Sequence, residues 1–221
     1  MTGYDIVASS LAQLGIKYMF GVIGIPVTQM ASAAQAAGIR FISCRNEQAA
    51  GYAAAAAGFL TGKPGVLLTV SGPGMVHGIA GLSHAKENRW PLIMISGSCE
   101  TVCMLPCLHL LTSQYNALHI LQDEVGKGAF QEHDQCKAAS QYVKLAIQAK
   151  SLDDIPQCIT RAYQTSLQHG FGPCYIDIPS TIFMGISNKA AVHIAPSALR
   201  ESNVPEKMSS KVLKALKNAK R

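Results

Sequence analysis

The strongest constraint on the fold is a pattern that occurs three times in the first half of the chain. A short apolar run gives way to glycine, proline or charge, and a helix-suited stretch follows. The runs are Tyr18–Ile23, Arg40–Cys44 and Val66–Val70. Strands alternating with helices in this way predict an α/β fold, a doubly wound parallel sheet. Val66–Val70 has no polar alternation, as expected of a strand covered on both faces. Ligands of such sheets bind beyond the C-terminal ends of the strands. Phe20–Thr28, Arg45–Tyr52 and Ser71–Gly74 therefore mark one ligand-facing edge.

The rest of the chain extends the pattern. Ile6, Ser10, Leu11 and Leu14 share one face of a first helix that Gly15 ends. Helices are expected over Val27–Ala37, with Pro26 at the opening turn, over Glu47–Leu60, stopped by Thr61-Gly62-Lys63-Pro64, and over Gly74–Lys86. Pro91–Ile95 reads as a strand, Ile155–Leu167 as a helix and Pro173–Pro179 as a last strand. Residues 1–185 then make one domain, 186–206 a linker and 207–221 the start of a further domain.

Hydrophobic residues at 48% against 14% charged are ample for a core. The net charge of +6 gathers late, at Lys207, Lys211, Lys214, Lys217, Lys220 and Arg221. No aromatics interleave there, and Val212, Leu213 and Leu216 recur at helical spacing, so a nucleic-acid partner is not expected. No apolar run is long enough to span a membrane, and no secretory signal opens the chain. Seven cysteines without a framework point to a reducing intracellular compartment, and Ala219-Lys220-Arg221 is not a peroxisomal address.

Val102–Gln122 breaks the pattern, being apolar and uncharged where a surface loop is due. Valine codons begin GT and one glutamine codon ends AG, so the segment has the edges of an intron read through in frame. The reading is intervening sequence carried into the chain, with a genuine lineage-specific loop as the alternative, and the segment is expected to lie outside the core. Cys103, Cys107 and His109 within it lack a fourth ligand at zinc-site spacing, so no metal site is expected. Cys44 and Cys99 have no general base nearby and read as buried small residues.

Glu47 alone reads as a helix-start carboxylate favoured by the macrodipole. Its neighbours change that reading. Gly-Val-Ile-Gly-Ile-Pro-Val at 21–27, Arg-Asn-Glu-Gln-Ala-Ala at 45–50 and Ser-Gly-Pro-Gly at 71–74 resemble, in order and spacing, the N-terminal pyrimidine-binding domain of thiamine-diphosphate enzymes. The nearest resemblance is to 2-hydroxyacyl-CoA lyases, with oxalyl-CoA decarboxylases as relatives, and it runs from about Gly3 to Phe183. It implies that Glu47 hydrogen-bonds the pyrimidine ring nitrogen and helps to deprotonate the thiazolium carbon. It further implies that Ile25 and Pro26 line the site and that Ser71, Gly72, Pro73 and Gly74 cradle the pyrimidine end. The plainer readings are a helix-opening turn for the first pair and a strand-to-helix turn for the other four. His77, one turn into the next helix, is a substrate-side or a structural histidine. Phe130 and Gln131 match a Phe-Gln-Glu segment that reaches a site shared between subunits of a homodimer or homotetramer. Oxalyl-CoA decarboxylases tend to carry Tyr-Glu-Glu there, and acetolactate synthases carry Gly-Tyr-Pro-Gly-Gly at the first loop.

The activity so implied is cleavage of a 2-hydroxyacyl-CoA to formyl-CoA and a shortened aldehyde, in fatty acid α-oxidation in the peroxisome. No Gly-Asp-Gly segment with a downstream asparagine occurs, so the Mg²⁺ and diphosphate ligands would come from a separate C-terminal domain. The chain alone is then expected to be inactive. A non-catalytic fragment that pairs with a full-length partner is the alternative from another class.

Overall fold

The computed structural model describes residues 1–98, 131–168 and 170–188, with residues 211, 214, 215, 217 and 218 of the basic stretch. The expectations placed on Cys99, on Val102–Gln122 with Cys103, Cys107 and His109, on Phe130 and on most of 186–221 lie outside the described residues.

In chain order the elements are α1 (Gly3–Gln13), β1 (Tyr18–Gly21), α2 (Met30–Ala36), β2 (Arg40–Ser43), α3 (Glu47–Thr61), β3 (Gly65–Thr69) and α4 (Pro73–Asn88). After β4 (Leu92–Ser98) come α5 (Gln135–Ser140), β5 (Leu145–Gln148), α6 (Ile155–Leu167), β6 (Pro173–Pro179) and α7 (Ser180–Met184). The six strands form one sheet in the order β2-β1-β3-β4-β6-β5, parallel at every pairing. The doubly wound sheet expected from the sequence is present.

Alternate strand residues enter two different cores, which explains the absence of polar alternation. Val66, Leu68, Ile93, Ile95, Ile176 and Ile178 pack with α1, α2, α6 and α7. Leu67, Leu92, Met94 and Tyr175 pack on the other face with α3, α4 and α5. Both faces are dry, so these strands read as near-continuous apolar runs.

Three details differ from the sequence reading. The second helix begins at Met30 rather than Val27, because the chain first makes a tight turn with Val27 N–H on the Gly24 carbonyl at 2.7 Å. β5 and α5 were not foreseen; each is short, and β5 is a half-buried edge strand without a full apolar run. Cys44 is half-buried rather than buried, since it follows the edge strand β2.

Candidate functional site

Two helix starts meet at the C-terminal edge of the sheet. Asn46 is extended and accepts the Ala49 N–H at 3.1 Å, a side-chain cap that begins α3 at Glu47 directly after β2. One turn further on, Gly51 lies against Gly81 of α4: a Cβ on Gly51 would stand 2.9 Å from Gly81 Cα. Only a glycine pair permits that approach, and the fully buried Ala50, Ala54 and Ala55 widen the contact. The close crossing carries Glu47 onto the first turns of α4. Its Oε2 lies 3.3 Å from His77 Nδ1, and its Oε1 3.2 Å from where a Gly74 side chain would begin. The Glu47 side chain is only 12% exposed, whereas that of His77 is 60% exposed. A polar contact with one partner this open adds little stability.

The loop before α4 forms the second wall. Ser71 is buried and donates its hydroxyl to Gln131 Oε1 at 2.7 Å. Gly72 holds φ +57° and ψ −114°, a backbone conformation that a side chain would strain, and Pro73 opens the helix. Gln131 is itself left-handed at φ +56°. On the β1 side, Ile25 is 69% exposed while Pro26 is buried against Gly97 of β4. Tyr4 of α1 anchors this loop by donating its hydroxyl to the Pro26 carbonyl at 2.7 Å.

The structure thus gathers Glu47, Ser71, Gly72, Pro73, Gly74, His77 and Gln131, with Ile25 and Pro26 at the neighbouring strand end. Among the described residues, no group of three or more His, Cys, Asp or Glu could hold a metal. Burial pushes the thiols of Cys136 and Cys174 up to about 12 and that of Cys158 up to about 11, which keeps these three from acting as thiolates.

Sequence reasoning missed the polar layer beneath the loop. Gln135, Tyr175 and Asp177 are buried together, Gln135 Nε2 lying 3.0 Å from Tyr175 Oη and 3.4 Å from Asp177 Oδ2. Burial raises the Asp177 carboxyl to about 6, although Ser98, Gln135 and Gln148 hydrogen-bond it. The one available signal was a lone acid inside the apolar strand Pro173–Pro179. Gln135 carried none, because a polar residue at a helix start is ordinarily solvated.

Comparison with known proteins follows the same lines. Residues 1–138 match the family described as "Thiamine pyrophosphate enzyme, N-terminal TPP binding domain". The 2-hydroxyacyl-CoA lyase of Arabidopsis thaliana is 50% identical over 180 residues, covering 81% of this chain and 28% of that protein. The human 2-hydroxyacyl-CoA lyase 1 is 40% identical over 180 residues, covering 81% and 28%. The oxalyl-CoA decarboxylase of Escherichia coli (strain K12) is 39% identical over 187 residues, covering 85% and 30%. The chain spans under a third of the length of these relatives. With its parallel sheet and a match across more than half its length, the chain belongs to the thiamine pyrophosphate enzymes, through their N-terminal TPP-binding domain.

Proposed function

We propose that residues 1–185 are the pyrimidine-binding half of a thiamine-diphosphate-dependent 2-hydroxyacyl-CoA lyase, which cleaves its substrate to formyl-CoA and a shortened aldehyde. The observation that carries this is Glu47: a carboxylate largely withdrawn from water, at the ligand edge of a parallel sheet, facing a glycine-rich helix start. These residues fit the cofactor's pyrimidine end. Gly74 presents bare backbone beside Oε1, where a Cβ would collide with Val70 Cγ2, and the exposed Ile25 offers apolar surface at the next strand end.

Thiamine diphosphate, when bound, supplies a nucleophilic carbon that attacks or releases the carbonyl carbon of the substrate. Glu47 would hydrogen-bond the pyrimidine ring nitrogen and hold or pass a proton at that atom; low exposure strengthens such a bond. Ser71–Gly74 would form one wall, Ile25 and Pro26 another, and His77 and Gln131 would lie toward the substrate. Mg²⁺ and the diphosphate would be held by a second domain, so the 221 residues alone would bind cofactor weakly and not turn over. Assembly as a homodimer or homotetramer and a peroxisomal role in α-oxidation belong to the same reading.

The Phe-Gln-Glu segment at 130–132 and the 50% identity to a lyase favour lyase over decarboxylase. A chimera tests this directly: residues 1–185 joined to the remaining domains of the Arabidopsis lyase, assayed with a 2-hydroxyacyl-CoA and with oxalyl-CoA. Cleavage of the first substrate is expected. In that chimera Glu47→Gln should lower kcat on the order of 100-fold or more, with KM for the acyl-CoA little changed. Exchange of the bound cofactor's thiazolium proton should slow in parallel. Wild-type exchange in the Glu47→Gln variant would reduce Glu47 to a helix-start residue.

A further inference from the structure

We propose that Gln135 is the positioning residue that sets the shape of the Ser71–Gly74 cradle, an assignment that rests on that loop being the cofactor's pyrimidine wall. Gln135 is 1% exposed and lies at the start of α5, which Asp134 caps by accepting the Lys137 N–H at 3.1 Å. Its side chain links groups from three strands. Oε1 accepts the Gly72 N–H at 2.8 Å, just beyond β3. Nε2 donates to the Gly97 carbonyl of β4 at 3.0 Å and to Tyr175 Oη of β6 at 3.0 Å.

The amide can sit only one way round. The Gly72 N–H requires an acceptor and the Gly97 carbonyl a donor, so the two backbone groups fix its orientation. Two N–H hydrogens face three oxygens, and Asp177 Oδ2 is the farthest at 3.4 Å. Asp177 Oδ1 has no partner among the described residues.

Gly72 needs the clamp. It is buried in a left-handed conformation, with the left-handed Gln131 packed so closely that a Cβ on Gly72 would stand 2.9 Å from Gln131 Cβ. A buried, unpaired N–H at that point would be costly, and the loop would shift to reach another acceptor. Such a shift moves Ser71 and the start of α4, and with them the surface opposite Glu47.

Two substitutions separate clamping from mere filling. Gln135→Met keeps length and bulk but neither accepts nor donates. Gln135→Glu can fill both roles only when protonated; once ionised it faces the Gly97 carbonyl and the Asp177 carboxyl with no hydrogen to donate, and that repulsion drives it off the Gly72 N–H. Hydrogen exchange of the Gly72 amide in the 221-residue chain is the first readout. In Gln135→Met it should quicken on the order of tenfold or more while β3 and β4 amides keep their rates. In Gln135→Glu it should be fast at pH 8 and return at pH 5 to the wild-type rate at that pH. In the lyase chimera, Gln135→Met should raise half-saturating thiamine diphosphate about tenfold without moving KM for the acyl-CoA. A Gly72 amide that keeps its wild-type rate, quickening shared equally by the whole sheet, or an unmoved half-saturation overturns the assignment. A wild-type chimera without activity would instead sink the functional reading, and Gly72 exchange would still decide the clamp. Should Gln135→Met fail to fold, the pH contrast in Gln135→Glu decides alone: equal Gly72 rates relative to wild type at pH 5 and pH 8 overturn it.

Discussion

Asp177 shows what a single buried carboxyl does to the pH response of the fold. Its pKa stands at about 6 against an ordinary 3.8, because burial penalises the charged form more than its hydrogen bonds repay. Between these values the folded protein keeps a proton that the unfolded chain has released. The contribution is fully present below about pH 4 and is lost as pH rises to about 6, by roughly 3 kcal/mol. Asp177→Asn cannot titrate, so its urea-unfolding free energy should gain on the wild type by that amount from pH 4 to pH 7. A difference that stays constant over the range would show that Asp177 does not titrate there. Neither this carboxyl nor Gln135 was legible as part of the site, since their meaning comes from neighbours distant in sequence: Gln135 bonds Gly72, Gly97 and Tyr175. The position of Glu47 at the sheet edge was legible because its setting is local, a strand end before and alanines after.

The elements show where local signals suffice. β3, β4 and β6 were legible as continuous apolar runs, and Ile155–Leu167 was bounded as found, because burial on both faces or along one stripe writes itself into composition. α2 was misplaced by a turn's length, since Val27 belongs to the core without belonging to a helix. The α3–α4 crossing was not foreseen at all. Gly51 and Gly81 are far apart in sequence, and each alone looks like a tolerated helix glycine. In the fold they are one contact, and a Cβ on Gly81 would stand 2.7 Å from Gly51 Cα. Gly81→Ala must therefore push the helices apart, at a cost of about 1–3 kcal/mol despite alanine's better helix propensity. Equilibrium denaturation checks this. A neutral or stabilising Gly81→Ala would mean that the crossing is looser than drawn, and that Glu47 does not depend on it for its place over α4.

At the scale of the whole molecule, strand order decides which loops share an edge. Order β2-β1-β3-β4-β6-β5 puts the chain ends after β1, β2 and β3 side by side, which is why three separated motifs could be read as one site. The same topology bears on the stretch between β4 and α5, where the uncharged segment Val102–Gln122 falls. The two ends of that connection are already held together: Gln135 Nε2 reaches the Gly97 carbonyl at 3.0 Å. Closing it therefore needs little chain, and deleting Val102–Gln122 leaves residues 99–101 and 123–134 for the task. If the segment contributes no packing, shortening the loop from residues 99–134 in this way lowers its closure entropy by about 0.8 kcal/mol. For a domain of this size that corresponds to a rise in Tm of roughly 2 °C. The test is thermal unfolding of the deletion variant beside the full chain, followed by far-UV circular dichroism. An unchanged spectrum with an equal or higher Tm is expected. A fall of several degrees would make Val102–Gln122 an integral part of the fold, and the reading of it as intervening sequence would be wrong.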